Sequence, residues 1–263
     1  MITHRVRAFN RAVHHENRVH DPDFARTLGF RGGLVPGVDI YAYMTHPVVE
    51  AWGAEWLEHG GAEVRFLQPV YDGDEVEVAA KAGGEDRLRL ELRNQEGTVC
   101  ASGFAERRVP EPPPDLALFP VRPLPAERPP ASPEVLAATP VLGSVERVVS
   151  AQEALDQLAE VGEDLELYRR EPVLHPGLLL RFADAVISAN VLLPPWMHVS
   201  SRPRHFGLAR PGERLSARAR LLDLFERRGH RFVQLDVVVA GERGPVLRVQ
   251  PYTAIYEPAF VRR

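Results

Sequence analysis

The chain has 263 residues, 44% hydrophobic and 26% charged, with a formal net charge of −4. That length can bury a core in one large domain or two ordinary ones, and the charge balance excludes the basic footprint of a nucleic-acid-binding protein. Its basic residues are arginines apart from Lys81, which argues against Schiff-base chemistry, and its one cysteine, Cys100, excludes an internal disulfide or a multi-cysteine metal site.

No signal-peptide pattern heads the chain and no apolar run is long enough to span a bilayer, so a cytoplasmic protein without a membrane partner is expected. A short strand is expected over 5–13, then a polar loop over 14–32 with one helical turn near Pro22. From Gly33 to Glu58 apolar residues recur at helical spacing, and Pro47 should kink or split that helix. Met44, Trp52 and Trp56 on it read as core. Four strands with a period of two follow at 62–70, 75–81, 87–93 and 98–107, separated by the turn signals Y-D-G-D, A-G-G-E-D and N-Q-E-G.

Eleven of the 24 prolines fall between Pro110 and Pro140. So restricted a backbone should form an extended surface linker, which divides the chain into repeats at 1–109 and 143–263 around a linker at 110–142. After the linker the pattern restarts with a strand at 145–149, a helix at 151–161, a long apolar helix over 175–193 and strands at 198–208, 214–226, 230–240 and 245–256. The two halves keep nearly the same spacing. Gly37 opens the first long helix and Gly73 starts a strand as G-D-E-V, while Gly177 opens the second and Gly212 starts a strand as G-E-R-L.

Chemistry is concentrated in H-H-E-N-R-V-H, residues 14–20, followed by a glycine-rich turn and the helix start at Pro36-Gly37. Groups that can move protons there precede a helix N-terminus with unpaired N–H groups. His14, His15 and His20 match no zinc spacing, so no metal is expected. Asn17 and Asp21 also suit turns or caps.

The motifs E-N-R-V-H-D-P-D-F-A, G-F-R-G-G-L-V-P-G-V, F-L-Q-P-V-Y-D-G-D-E-V and H-P-G-L-L resemble the double hot-dog proteins related to MaoC-like dehydratases and (R)-specific enoyl-CoA hydratases. The resemblance covers nearly the whole chain outside the linker. It implies an α+β fold of two repeats, each a curved antiparallel sheet around one long helix. It also implies an acyl-CoA (enoyl) thioester substrate and no cofactor beyond the coenzyme A of that substrate. The family's hydratase loop, Asp-x-Asn-Pro-x-His, places its asparagine at Asn17 and its histidine at His20, and its oxyanion-hole glycine at Gly37. The sequence departs where the family has aspartate, which is His15 here, and where it has proline, which is Arg18.

Water addition without that aspartate needs another proton carrier. Glu16, one helical turn from His20, could supply a substitute pair, or His15 and His20 could act together. Asp39, in the first helical turn, suits the helix dipole or the acid–base role of a hot-dog thioesterase. His175, before Pro176-Gly177, could face a ligand or close its own loop. Arg202, Arg204 and His205 on one strand could meet coenzyme A phosphates or form a solvated face. Three readings therefore stand: hydratase or dehydratase, thioesterase, and a non-catalytic acyl-thioester-binding module. A monomer and a homodimer are both compatible with two joined repeats.

Overall fold

The computed structural model describes residues 1–109 and 111–261. Pro110, the first residue of the expected linker, and Arg262 and Arg263 at the end of the expected second repeat lie outside them. The first half contains β1 (Ile2–Arg7), the short α1 (Pro22–Thr27), α2 (Gly37–His59), β2 (Gly61–Phe66), β3 (Glu75–Gly84), β4 (Arg87–Asn94) and β5 (Val99–Glu106). After α3 (Pro133–Ala138), the second half has β6 (Val145–Val148), α4 (Ala151–Glu160), α5 (Glu166–Arg170), α6 (Pro176–Asn190), β7 (Met197–His205), β8 (Arg214–Arg227), β9 (His230–Gly241) and β10 (Gly244–Glu257).

All ten strands join one sheet in the order β1-β3-β4-β5-β2-β7-β10-β9-β8-β6. The order reads the same from either end once the second half is renumbered, so the halves are related by a pseudo-two-fold at the β2–β7 junction. There Gly61 pairs with Arg204, Val64 with Ser201 and Arg65 with Ser200. Strand alternation sends Val76, Val78 and Ala80 of β3 inward, as a half-buried sheet requires.

The long helices lie against each other within this sheet. Every residue of α2 from Val38 to Val49 is buried, because sheet covers one side of the helix and α6 the other. The close approach depends on Gly177, where a Cβ would lie 2.5 Å from that of Ala42. Contrary to the expectation at Pro47, α2 keeps helical dihedrals through that proline and breaks at Gly53, with φ 59° and ψ −147°. Proline removes one donor, which a helix packed on all sides tolerates, whereas that positive φ is open to glycine.

The first strand ends earlier than its composition suggests, because the chain then turns to tie Asn10 N–H to the Asp72 carboxylate at 2.8 Å. In the proline-rich segment α3 forms because Pro133 occupies its first turn, where no donor is needed, and Ser132 caps it by accepting from Val135 N–H. No helix among the described residues is long and apolar enough to cross a membrane.

Candidate active site

A cavity of about 200 Å³ opens where the 8–21 loop, the start of α2, the end of β2 and the second half meet. The loop is held from both sides. The Asn10 amide donates to His20 C=O at 2.8 Å, and the Asn17 amide makes a reciprocal pair with the Trp196 backbone, donating at 3.0 Å and accepting at 3.2 Å. Asn17 thereby fastens the first half's loop to the second half.

That anchoring sets the two histidines. His20 Nδ1 lies 2.7 Å from Leu34 C=O, which can only accept, so Nδ1 carries the proton and Nε2 keeps its lone pair. Nε2 is 3.5 Å from the Asn17 amide nitrogen. Burial pushes the His20 imidazole down to about 4, so it is neutral at pH 7 and able to accept a proton. His15 has the other tautomer, since its Nδ1 accepts from Asn17 N–H at 3.0 Å. It is exposed at the cavity rim, with its ring edge-on to His20 at 6.1 Å, and desolvation lowers it too.

The start of α2 forms the wall beside them. The N–H groups of Gly37 and Val38 have no acceptor among the described residues, as the first turn of a helix leaves them. A Cβ on Gly37 would sit 3.1 Å from the Phe66 ring and 3.3 Å from His198, so only glycine admits this packing without a shift.

Opposite lies a group from the second half. Asp184 on α6 accepts from Tyr252 O–H at 2.7 Å and faces His198 Nδ1 at 3.8 Å. Burial, partly opposed by the Tyr252 hydrogen bond, pushes its carboxyl up to about 7. His198, between the rings of Phe66 and Tyr252, is bonded to Ser201 Oγ at 2.7 Å and driven by burial down to about 3. Arg11 and Arg181 complete the polar side of the wall. Chemically, this arrangement combines a neutral imidazole that accepts a proton, a carboxylic acid that gives one near neutral pH, and helix N–H donors for a developing oxyanion.

His15, Asn17, His20 and Gly37 therefore come together, and other residues singled out from the sequence lie elsewhere. Glu16 is turned away from the cavity, with both carboxylate oxygens 3.0 Å from Arg128 of the proline-rich segment. The loop around it is a series of turns, with one helical turn only over Arg18–His20, so the one-face geometry imagined for Glu16 and His20 does not form. Asp39 is buried behind the wall against Arg181 and Arg11, at 2.7 and 3.3 Å. His175 caps α6 by accepting from Gly177 N–H at 3.1 Å, and its Nε2 lies 3.5 Å from Glu163. Arg202 is exposed, Arg204 is buried with Nε 3.4 Å from Glu111, and His205 is buried edge-on to Trp56. These three do not form one row facing a ligand, because the adjacent Arg204 and His205 point to opposite faces of the sheet and both are buried, leaving Arg202 alone exposed.

Arg181, Asp184 and His198 escaped the sequence reading. A signal existed for two of them. Arg181 and Asp184 stand three apart in the otherwise apolar L-L-L-R-F-A-D-A-V-I, hence on one helix face. His198 has no local signal, since only strand pairing brings it to Gly37. Outside the cavity, His46, Glu163 and Asp164 bring possible metal-ligand atoms within 4.8 Å of one another, but His46 and Glu163 already satisfy each other at 2.9 Å.

Two helix-centred repeats sharing one antiparallel sheet, with a cavity at one helix start, define the chain as a double hot-dog protein. It aligns over 98% of its length, and 95% of the other chain, with a Chloroflexus aurantiacus protein described as a MaoC domain protein dehydratase, at TM-score 0.62 and 14% identity. A conserved Mycobacterium tuberculosis protein with a double hot-dog fold aligns over 96% of this chain and 93% of its own, at TM-score 0.65 and 14% identity. A Lactobacillus plantarum protein described as an oleoyl thioesterase aligns over 97% and 96%, at TM-score 0.55 and 12% identity. At these identities the likeness defines the fold. No protein-family model and no curated protein matches the sequence.

Proposed function

We propose that the protein adds water to, or removes it from, an acyl-CoA thioester of the enoyl/3-hydroxyacyl pair. The observation that carries the reading is the convergence of His20, with an unprotonated Nε2, and Asp184, with a carboxyl poised near neutrality, on one cavity at the start of α2. In hydration, the thioester oxygen accepts from the Gly37 N–H, so charge developing on it meets the positive end of the helix. His20 Nε2 takes a proton from water as its oxygen bonds to the β-carbon, and Asp184 delivers a proton to the α-carbon. The product is neutral overall, and the imidazolium and carboxylate left behind reset by proton exchange with solvent. Dehydration runs the same steps backward.

In this scheme Asp184 takes the part that the first-half loop, with His15 where a carboxylate was expected, does not provide. Thioester hydrolysis is less well supported, because Asp39, the acid considered for it, is engaged by two arginines behind the wall. The test follows trans-2-enoyl-CoA absorbance and free-thiol release together. Loss of enoyl absorbance without thiol, abolished in His20→Ala, is the expected result. Thiol release, or turnover indifferent to His20→Ala, overturns the reading.

A further inference from the structure

The charged side of the cavity is arranged unusually. Arg11 comes from the first half's loop and Arg181 from α6, and both residues line the wall. Their counter-ions do not. Asp39, 1% exposed, sits behind them, 2.7 Å from Arg181 and 3.3 Å from Arg11, and Glu160 is 3.7 Å from each. The cavity therefore meets two cations, while the anions that hold them in place are on the far side. Arg11 turns its buried Nε toward Asp39 and Glu160, and Arg181 bonds Asp39 through Nη2, while no hydrogen bond among the described residues uses Arg11 Nη1, Arg11 Nη2 or Arg181 Nη1. Much of the remaining wall, including Val35, Val38, Ile40, Phe66 and Trp196, is apolar.

We infer that this cavity is built for a thioester whose acyl chain itself carries a carboxylate, held by Arg11 and Arg181. An alkyl chain end would cover those donors and satisfy none of them, whereas a carboxylate accepts from forked guanidinium groups in their own geometry. The inference rests on the thioester reading of the site and adds the class of acyl group. The anion could equally come from a phosphate of the carrier, and a comparison of chain ends on one carrier separates the two.

The experiment is calorimetric titration of the full chain with succinyl-CoA and butyryl-CoA, which share carrier and chain length, alongside the enoyl turnover assay. Succinyl-CoA is expected to bind at least tenfold tighter, with that ratio falling at least threefold in Arg181→Met. Arg11→Gln, which leaves the 2.7 Å Arg181–Asp39 pair intact, is the second variant should loss of Arg181 unfold the protein, and the same fall is expected there. Equal affinities, or a ratio unchanged in folded variants, overturn the inference while the turnover assay judges the hydratase reading separately. A fall in both affinities alike assigns the arginines to the carrier and also overturns it. A persistent succinyl preference without enoyl turnover leaves this inference standing and removes the hydratase chemistry.

Discussion

Tyr252 O–H donates to Asp184 Oδ1 at 2.7 Å, across the boundary between β10 and α6. Burial raises the Asp184 carboxyl, and this hydrogen bond, by stabilising the ionised form, keeps the rise near 7. The proposed hydration needs Asp184 protonated and His20 neutral. Its rate should therefore fall above about pH 7 as Asp184 ionises, and fall below about pH 4 as His20 protonates. Tyr252→Phe removes the stabilisation of the carboxylate and should move the alkaline limb to higher pH while leaving the acid limb in place. A kcat–pH profile of both forms checks this, and an unmoved limb removes Asp184 from the reaction.

His20→Gln keeps a donor for Leu34 but lacks a basic nitrogen. Loss of a positioned general base typically costs about 10²–10⁴-fold in rate. The expected result is a kcat loss of that order with KM changed little and the melting temperature lowered by a few degrees at most. A KM effect alone would make His20 a binding residue.

Glu16→Gln tests the placement of that residue outside the site. Its partner Arg128 is one third exposed and Glu16 about one half, so the pair should contribute about 0–1 kcal/mol. Turnover should stay within about twofold of the parent, on the size expected for surface substitutions. A hundredfold loss would return Glu16 to the chemistry.

Much of the architecture was legible in the chain, and part of the site. Matching spacings from Gly37 to Gly73 and from Gly177 to Gly212 exposed the duplication, because each helix and the turn after it form one unit. The 14–20 loop and Gly37 were readable since their residues are neighbours in sequence. What hid the rest was distance. Asp184, Arg181 and His198 join the cavity only after α6 packs on α2 and β7 pairs with β2, and the charged pair on the apolar α6 marks a buried polar face without saying which loop it meets. Propensity places the break in α2 at Pro47, the stronger helix breaker, but it occurs at Gly53, where burial does not hold both sides of the helix.

Glu163 links the halves away from the cavity and makes stability depend on pH. Its carboxylate is 2.9 Å from His46 of α2 and 3.5 Å from His175 at the start of α6. Burial works against its charge, yet the histidines hold the carboxyl below its ordinary 4.5, and the carboxylate outweighs burial to raise His46 above 6.5. The Glu163 contribution is full above pH 4.5 and lost as pH falls through its lower folded value. The His46 contribution is full below pH 6.5 and lost as pH rises through its higher folded value. Both act fully from pH 4.5 to 6.5. Glu163→Gln should cost about 3 kcal/mol in that window and less outside it, measured by urea unfolding across pH 3–9. A cost independent of pH would assign it to packing.

Gly177→Ala should cost about 1–3 kcal/mol, because the added methyl meets Ala42 at 2.5 Å and pushes the long helices apart. Chemical denaturation measures the loss, and a neutral result would show that the helix crossing relaxes freely.

The covalent join of the halves has an evolutionary consequence. Two identical subunits around an exact two-fold must present the same residues at both helix starts, so any change is made twice. Here the start of α2 faces a cavity, while the start of α6 is closed by His175 and its Glu163 neighbour. One copy is thus free to carry an open cleft and the other to serve as its buttress. Inheritance in a single reading frame lets the two halves differ, so that the loop carrying His15 and His20 comes from one and Asp184, on the same cavity, from the other.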